Sequence, residues 1–534
     1  MKRRLLVVLF AVMCGGVRAE VVLPPLFSDG LVLQAGSKAP VWGKADPGEK
    51  VTVTIAGQSR NAMADAQGKW RVDLENLEAG GPLGMTVAGK NTLTIRNVLV
   101  GEVWLASGQS NMEYPLAAWH VRNGDAEVAA ANYPLIHVFT VKTKVAPAPL
   151  EEAEGSWQVC TPTNAPSFSA TGYFFARDLH KAIGKPVGLI HSSVSGTLAE
   201  AWTSTEVLKG EPDFAAIFQR YDDAVAAYPK ALQDYKDKLA AWEKAAATAK
   251  EANEKPPAKP AEPRDPATAT TRPGGLFNGK IAPLIPFGFR GAIWWQGEFN
   301  SERGEQYAKL FPALIRDWRR RWAQGDFPFL FVQLQNLDIQ PQPNKAHYDE
   351  MRDAQLMTLR SVTNTGMAVA CDVGDANNIH PPNKQVIGGR LALIARATVY
   401  GEKELEYSGP LYQGMKVDGG LIRLSFTHLG GGLTVKNGGG DVSLPWRAGG
   451  PPVGSRAKPA LDSFVIAGAD RKFVKAEAKI DGDAVLVCSP EVKQPVAVRY
   501  AWADNPVCTL YNQAGLPASP FRTDDWPVFS TGKR

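Results

Sequence analysis

Four short segments of this chain carry residue types that suit acyl transfer. In VWLASGQSNMEYPL an apolar stretch, Val103 to Ala106, runs into Ser107-Gly108-Gln109-Ser110. A serine just beyond a strand end sits where ligands bind in α/β sheets. It is not a G-x-S-x-G turn, because Met112 stands where the second glycine would be. A serine here is also an ordinary helix N-cap. In GLIHSSVSGTLAEAWTS a small-residue run, Ser192 to Thr197, follows a strand, and Gly196 could offer its N–H to a developing oxyanion. In AIWWQGEFNSE the amide of Gln296 can donate to an oxyanion and Glu298 can orient an imidazole, with Trp294 and Trp295 implying partial enclosure. In CDVGDANNIHPPNK, Asp372, Asp375, Asn378 and His380 follow another apolar stretch, and Pro381-Pro382 hold the histidine in a loop. Of the seven histidines only His380 has acidic neighbours at a strand end. A metal site would need more His or Cys than these segments supply. Taken together the four supply a nucleophile, a base and extra oxyanion donors. That chemistry requires no metal and no organic cofactor.

Each of these residues needs a rigid element that ends where it begins. Between 99 and 402, apolar stretches such as GEVWLASG, PVGLIHSS, FRGAIWWQGE, FPFLFVQLQNL and TGMAVACDVGD alternate with helical patterns such as YFFARDLHKAIG and QYAKLFPALIRDWRRRWA. Near-continuous apolar strands alternating with helices predict an α/β fold with a parallel sheet and helices on both faces. The pattern breaks at 206–272. There Tyr228, Leu232, Tyr235, Leu239 and Trp242 form a heptad-like stripe on a charged helix, followed by EANEKPPAKPAEPRDPATATTRP. We read a helical insertion whose stripe is a packing face, then a flexible return. The α/β domain is thereby split into 99–205 and 273–402. Residues 20–98 and 403–534 alternate apolar and polar between Gly, Asp and Asn turns, which predicts a β-sandwich-like domain and a C-terminal β-rich region.

The chain opens MKRRLLVVLFAVMCGGVRAE, a basic stretch, an apolar run and a small-residue cleavage site after Ala19. That predicts a signal peptide over 1–19 and export to the periplasm or beyond. Its apolar run is shorter than the roughly 20 residues that span a bilayer. The formal net charge of +5 includes Lys2, Arg3, Arg4 and Arg18, so the mature chain keeps +1. Nothing in that charge points to nucleic acid or an anionic membrane as partner. No later run reaches membrane-spanning length. Cys160, Cys371, Cys488 and Cys508 show no CxxC spacing. Cys488 and Cys508 could pair in an oxidising compartment, or stay buried thiols.

The segments GEVWLASGQSNME, GLIHSSVSGTLAEAWTS, FNGKIAPL, WWQGEFN, DVGDANNIHPPNK and RYAWADNPVCTLYNQAGLPASPFRTDDW make the chain recognisable. It resembles the SGNH/GDSL hydrolase superfamily, and within it the sialate O-acetylesterase family of carbohydrate acetylesterases. The resemblance implies an SGNH-type, flavodoxin-like sheet and an O-acetylated carbohydrate as substrate. It implies Ser110 as nucleophile, His380 as general base, and Ser110 N–H, Gly196 N–H and Gln296 as the oxyanion hole. Asn111, Trp295 and Asn300 are expected at the substrate. Relatives often read GGT where this chain has Ser195-Gly196-Thr197, and D-I-H-P where it has Asn378-Ile379-His380-Pro381. The usual acid before the histidine is thus replaced by Asn377 and Asn378. Glu298 is the first choice to orient His380 and Asp375 the second, with an asparagine or a backbone carbonyl as a further option. Two other readings remain open: an esterase of acetylated xylan or xyloglucan, and a non-catalytic carbohydrate-binding protein on the same scaffold.

Overall fold

The computed structural model describes residues 20–338, 347–436 and 460–533. Residues 1–19, expected to form a signal peptide, lie outside the described residues. The fold turns on one 17-residue strand, Thr92–Gly108. Its first half alternates exposed and buried residues and pairs antiparallel with Gly80–Ala88. From Val98 onward every residue is buried, because the strand now has neighbours on both sides and cover on both faces. A boundary at 98/99 therefore falls inside one strand, where its environment changes.

The central sheet runs Thr365–Ala368, Phe329–Val332, Gly291–Trp295, Thr92–Gly108, Val187–Ser193, Tyr133–Val141, all parallel. Gly155–Cys160 adds an antiparallel edge that the expectation of a parallel sheet did not include. Helices cover both faces. Ala170–Ile183 packs on Lys384–Thr398, and Gly304–Trp322 packs on Tyr348–Ser361. After the central strand the chain fills one side of the sheet, then crosses to Gly291–Trp295 and fills the other. The reversal leaves a crevice between the C-terminal ends of Thr92–Gly108 and Gly291–Trp295, the position where open α/β sheets bind ligands.

The insertion contains a 37-residue helix, Ala215–Glu251. Its aromatic and leucine stripe is half-buried, and Trp242 Nε1–H donates to Pro257 O at 2.8 Å. The Pro-rich return thus lies along the stripe. Among its described residues the C-terminal region forms two four-stranded antiparallel sheets and a smaller pair. Arg352, fully buried, fastens it to the α/β core by donating to the carbonyls of Leu334, Gln335, Ala503 and Asp504 at 2.7–2.8 Å. The Cys488–Cys508 pairing does not form: Cys508 Sγ lies 2.8 Å from Cys371 Sγ, and Cys488 is apart on its strand. Among the described residues no helix is long and apolar enough to cross a membrane.

Candidate active site

Ser110 opens a single helical turn, Ser110–Glu113, directly after the central strand. Gly108 is in register with Trp295 on one side and Ser193 on the other. Its φ is +130°, and a Cβ there would stand 2.2 Å from Trp295 O. Only glycine allows that approach, which turns the chain and lifts Ser110 to the sheet end. Gln109 N–H donates to Trp295 O at 2.9 Å, fixing the exit. Among the described residues nothing accepts from the N–H groups of Ser110 and Gly196. Gly196 has φ +67°, a left-handed turn in the loop after Val187–Ser193. The turn is held from the helical turn that Ser110 opens: Glu113 accepts from Ser195 N–H at 2.5 Å and from the Ser195 hydroxyl.

Gln296 is fully buried and donates both amide hydrogens within the protein, to Thr197 O at 3.1 Å and Asn300 Oδ1 at 2.7 Å. Asn300 Oδ1 also accepts from Ala199 N–H, and its Nδ2 donates to Glu200. Gln296 and Asn300 therefore lock the Gly196 loop onto the Gln296–Asn300 turn. Asn111, Trp295 and Asn300, expected at the substrate, are all buried behind the site's surface.

Glu298 lies buried at the start of the turn Glu298–Asn300, after Gly291–Trp295. Its Oε1 accepts from Asn111 Nδ2 at 2.7 Å and Gln335 Nε2 at 3.2 Å, and its Oε2 has no partner among the described residues. Burial raises its pKa, with those two hydrogen bonds and the charge of Lys384 opposing the rise. The same two amides also donate to Ile379 O, at 3.0 and 2.9 Å. Lys384 Nζ, fully buried, donates to Asn111 Oδ1 and stands 4.4 Å over the Trp295 ring. Burial pulls its pKa down to about 7, against the opposing effect of Glu298.

His380 is half-buried, with its ring 4.9 Å from the Tyr114 ring. Its backbone N–H donates to Asn378 Oδ1 at 2.9 Å. Burial, then the electrostatic effects of Lys384 and His120, lower its pKa to about 4, so the imidazole is neutral and able to accept a proton at pH 7. Among the described residues no carboxylate hydrogen-bonds its ring. Asp375 is engaged locally, accepting from Asn377 N–H at 2.9 Å. Asp372 is clamped by Arg390 through two 2.7 Å bonds and by Tyr511 OH.

The structure thus brings Ser110, Gly196, Gln296, Glu298 and His380 to one end of one sheet. A neutral imidazole, a serine at a strand end and two unused N–H groups can support acyl transfer. Several residues of the site carry no sequence signal of their own. Lys384 reads as the first residue of a helix, Gln335 as the tail of an apolar strand, and Glu113 as a surface acid. Tyr114 and His120, bonded at 2.9 Å between Tyr114 OH and His120 Nδ1, extend the wall beside His380. Gln335 alone was accessible to a positional rule, since it too follows a parallel strand.

Residues 283–394 match the family described as carbohydrate esterase, sialic acid-specific acetylesterase. The chain is 30% identical over 532 residues to the sialate O-acetylesterase of Mus musculus, covering 91% of each. It is 32% identical to that of Rattus norvegicus over 70% of this chain and 72% of the relative. The crystal structure of a carbohydrate acetylesterase from Xanthomonas citri superposes with a TM-score of 0.77 at 36% identity, covering 95% of this chain and 100% of that one.

Proposed function

The chain belongs to the sialate O-acetylesterase family, and from that premise we propose how it works. It is a carbohydrate acetylesterase, a carboxylic-ester hydrolase. In the proposed reaction Ser110 Oγ attacks the acetyl carbonyl while His380 takes its proton. The tetrahedral intermediate collapses by breaking the bond to the sugar oxygen, which leaves with the proton from His380. Water, activated by His380, then hydrolyses acetyl-Ser110 to acetate. The N–H groups of Ser110 and Gly196 hold the oxyanion; losing one such donor costs roughly 2.7–4 kcal/mol of barrier. Gln296 enters mainly by holding the Gly196 loop through Thr197 O. Glu298 sets the position of His380 through the amides that bridge it to Ile379 O. Asp375 is the second candidate for that role.

The observation that supports this reading best is that the turn opened by Ser110 is bonded beside both partners, through Asn111 to Ile379 O next to His380 and through Glu113 to Ser195 next to Gly196. Residues 1–19 support export to the periplasm or the medium. The substrate is a sugar O-acetyl ester, as in sialate O-acetylesterases. Acetate release by the mature chain and by Ser110→Ala tests the reading. The panel is 4-nitrophenyl acetate, acetylated xylan, acetylated xyloglucan and O-acetylated sialic acid. Release that disappears with Ser110→Ala is expected. Equal release by the variant, or none from any ester by folded protein, would sink the mechanism, and a preference for xylan or xyloglucan esters would move the substrate to plant polysaccharide.

A further inference from the structure

Trp119 is 83% exposed and is the one exposed tryptophan among the described residues. Leaving an indole in water forgoes a large apolar burial, so an isolated one beside a reactive site calls for a ligand face to cover it. Its position is specific. Its ring meets the His120 ring edge-on at 5.0 Å, and His120 lies 6.2 Å from His380. Tyr114, bonded to His120, is 4.9 Å from His380. Trp119 is therefore the outer end of an aromatic wall that begins at the proposed base.

On the other side of Ser110 stands a second open aromatic. Phe299 is 50% exposed, directly follows Glu298, and its ring lies 3.2 Å from where a Cβ on Gly196 would be. Beyond it a cavity of about 450 Å³ continues towards the insertion, lined by Phe299, Leu198, Tyr221, Arg264 and Arg303. Arg303 Nε in that lining is buried without a partner among the described residues. A pyranose ring has an apolar C–H face and a polar rim. It is suited to lie on an aromatic face with its hydroxyls turned to polar groups.

We propose that Trp119 and Phe299 are sugar-ring platforms on the His380 and Gly196 sides of the site, so that the enzyme takes an acetylated sugar within a chain. This rests on the serine-esterase reading above. Neighbouring rings, rather than the acetyl group, then supply most of the substrate affinity.

The test compares the preferred oligomeric or polymeric ester of the panel with 4-nitrophenyl acetate, for wild type, Trp119→Ala, Trp119→Phe and Phe299→Ala. Trp119→Ala is expected to raise KM for the chain ester by about fivefold or more, the effect of losing ~1 kcal/mol of ring contact. The ratio of kcat/KM between the two esters falls accordingly, and Trp119→Phe restores most of it. Phe299→Ala is expected to act in the same direction, and since it also touches the Gly196 turn, the Trp119 series decides. An unchanged ratio in Trp119→Ala overturns the proposal, as does a wild-type preference for free O-acetylated sialic acid over every chain ester. Either result leaves the serine mechanism standing if Ser110→Ala is inactive.

An independent observation carries a second proposal. The sulfurs of Cys371 and Cys508 lie 2.8 Å apart, both buried, one at the head of the loop that carries His380 and the other in the C-terminal β region. Thiols this close need only a small side-chain adjustment to reach the 2.03–2.05 Å of a disulfide bond. We infer that they form a disulfide in the exported protein, with export as read from residues 1–19. An oxidant of the disulfide class accepts the two electrons. One cysteine thiolate attacks its S–S bond, the second displaces the mixed disulfide, and two thiols of the former oxidant leave with the protons. The bond would tie the His380 loop to the C-terminal region.

Non-reducing peptide mapping of the full mature chain equilibrated with oxidised glutathione is expected to give a Cys371–Cys508 cross-link and two blocked thiols. Its Tm should drop on reduction, and Cys371→Ser should show no such redox dependence of Tm. Alkylation of both cysteines in the unfolded, oxidant-treated chain overturns the inference, as does a cross-link of Cys508 to Cys488.

Discussion

Asn111 and Gln335 each give one amide hydrogen to the Glu298 carboxylate and one to the Ile379 carbonyl. Glu298 is thereby coupled to the backbone immediately before His380 without touching the imidazole. The Glu298 side chain, buried on the turn after Gly291–Trp295, acts as a fixed acceptor for the two donors. Converting Glu298 to glutamine replaces the carboxyl group with a neutral amide, a weaker acceptor for the two donors, and buries an NH₂ at the Oε2 position, where nothing accepts from it. We expect Glu298→Gln to cut kcat for acetyl esters by about tenfold or more, ~1.4 kcal/mol of barrier. Asp375→Asn, which disturbs a local turn only, should stay within about threefold. Side-by-side turnover of the two variants decides which carboxylate serves His380, and the reverse order would discard Glu298.

The pH profile carries a second expectation. In its proposed role as base His380 must be neutral, and its pKa of about 4 puts the expected acid limb of kcat/KM near pH 4. Lys384 helps to hold that value down, since protonating His380 places a second positive charge near the first. Lys384→Met removes that repulsion, so the folded-state pKa of His380 rises and the acid limb moves to higher pH. A profile of Lys384→Met superimposable on wild type would show that the ammonium does not act on His380.

Glu113 offers a test of loop positioning. It holds Ser195, one residue before the proposed oxyanion donor Gly196, from the turn that carries Ser110. Glu113→Ala should lower kcat by roughly tenfold, within the cost of a displaced oxyanion donor, and leave KM nearly unchanged. A variant that changes KM alone would place Glu113 at the substrate instead.

Arg352 sets a prediction on stability. Four backbone carbonyls from two regions of the chain share its guanidinium. Arg352→Leu leaves them buried without donors, at a cost on the order of 3–5 kcal/mol. Urea unfolding should show this as a lower midpoint, with the C-terminal β region released first. An unchanged midpoint would mean that water or neighbouring donors satisfy those carbonyls.

Most of the α/β architecture and the family are legible in the sequence, and the same strand ends mark the residues proposed for the chemistry. The apolar strands and the residues after them were readable because a strand covered on both faces must be apolar throughout, and functional residues must follow it. Val98–Gly108 and Gly291–Trp295 are such runs, and Ser110, Gln296 and Glu298 follow them directly. His380 could be read from its acidic and proline neighbours. Tertiary structure alone decided which groups face one another. Lys384 is an unremarkable helix-start lysine until Asn111 and Trp295, distant in sequence, close around it. Cys508 could be paired with Cys488 on nearness in sequence, yet the fold sets it against Cys371, 137 residues away. Gln296 looked free to donate outward, and the fold commits its hydrogens to Thr197 and Asn300. The reason is physical: composition and periodicity encode which face of an element is covered. The partner of a buried polar atom depends on distances set only when all the elements pack.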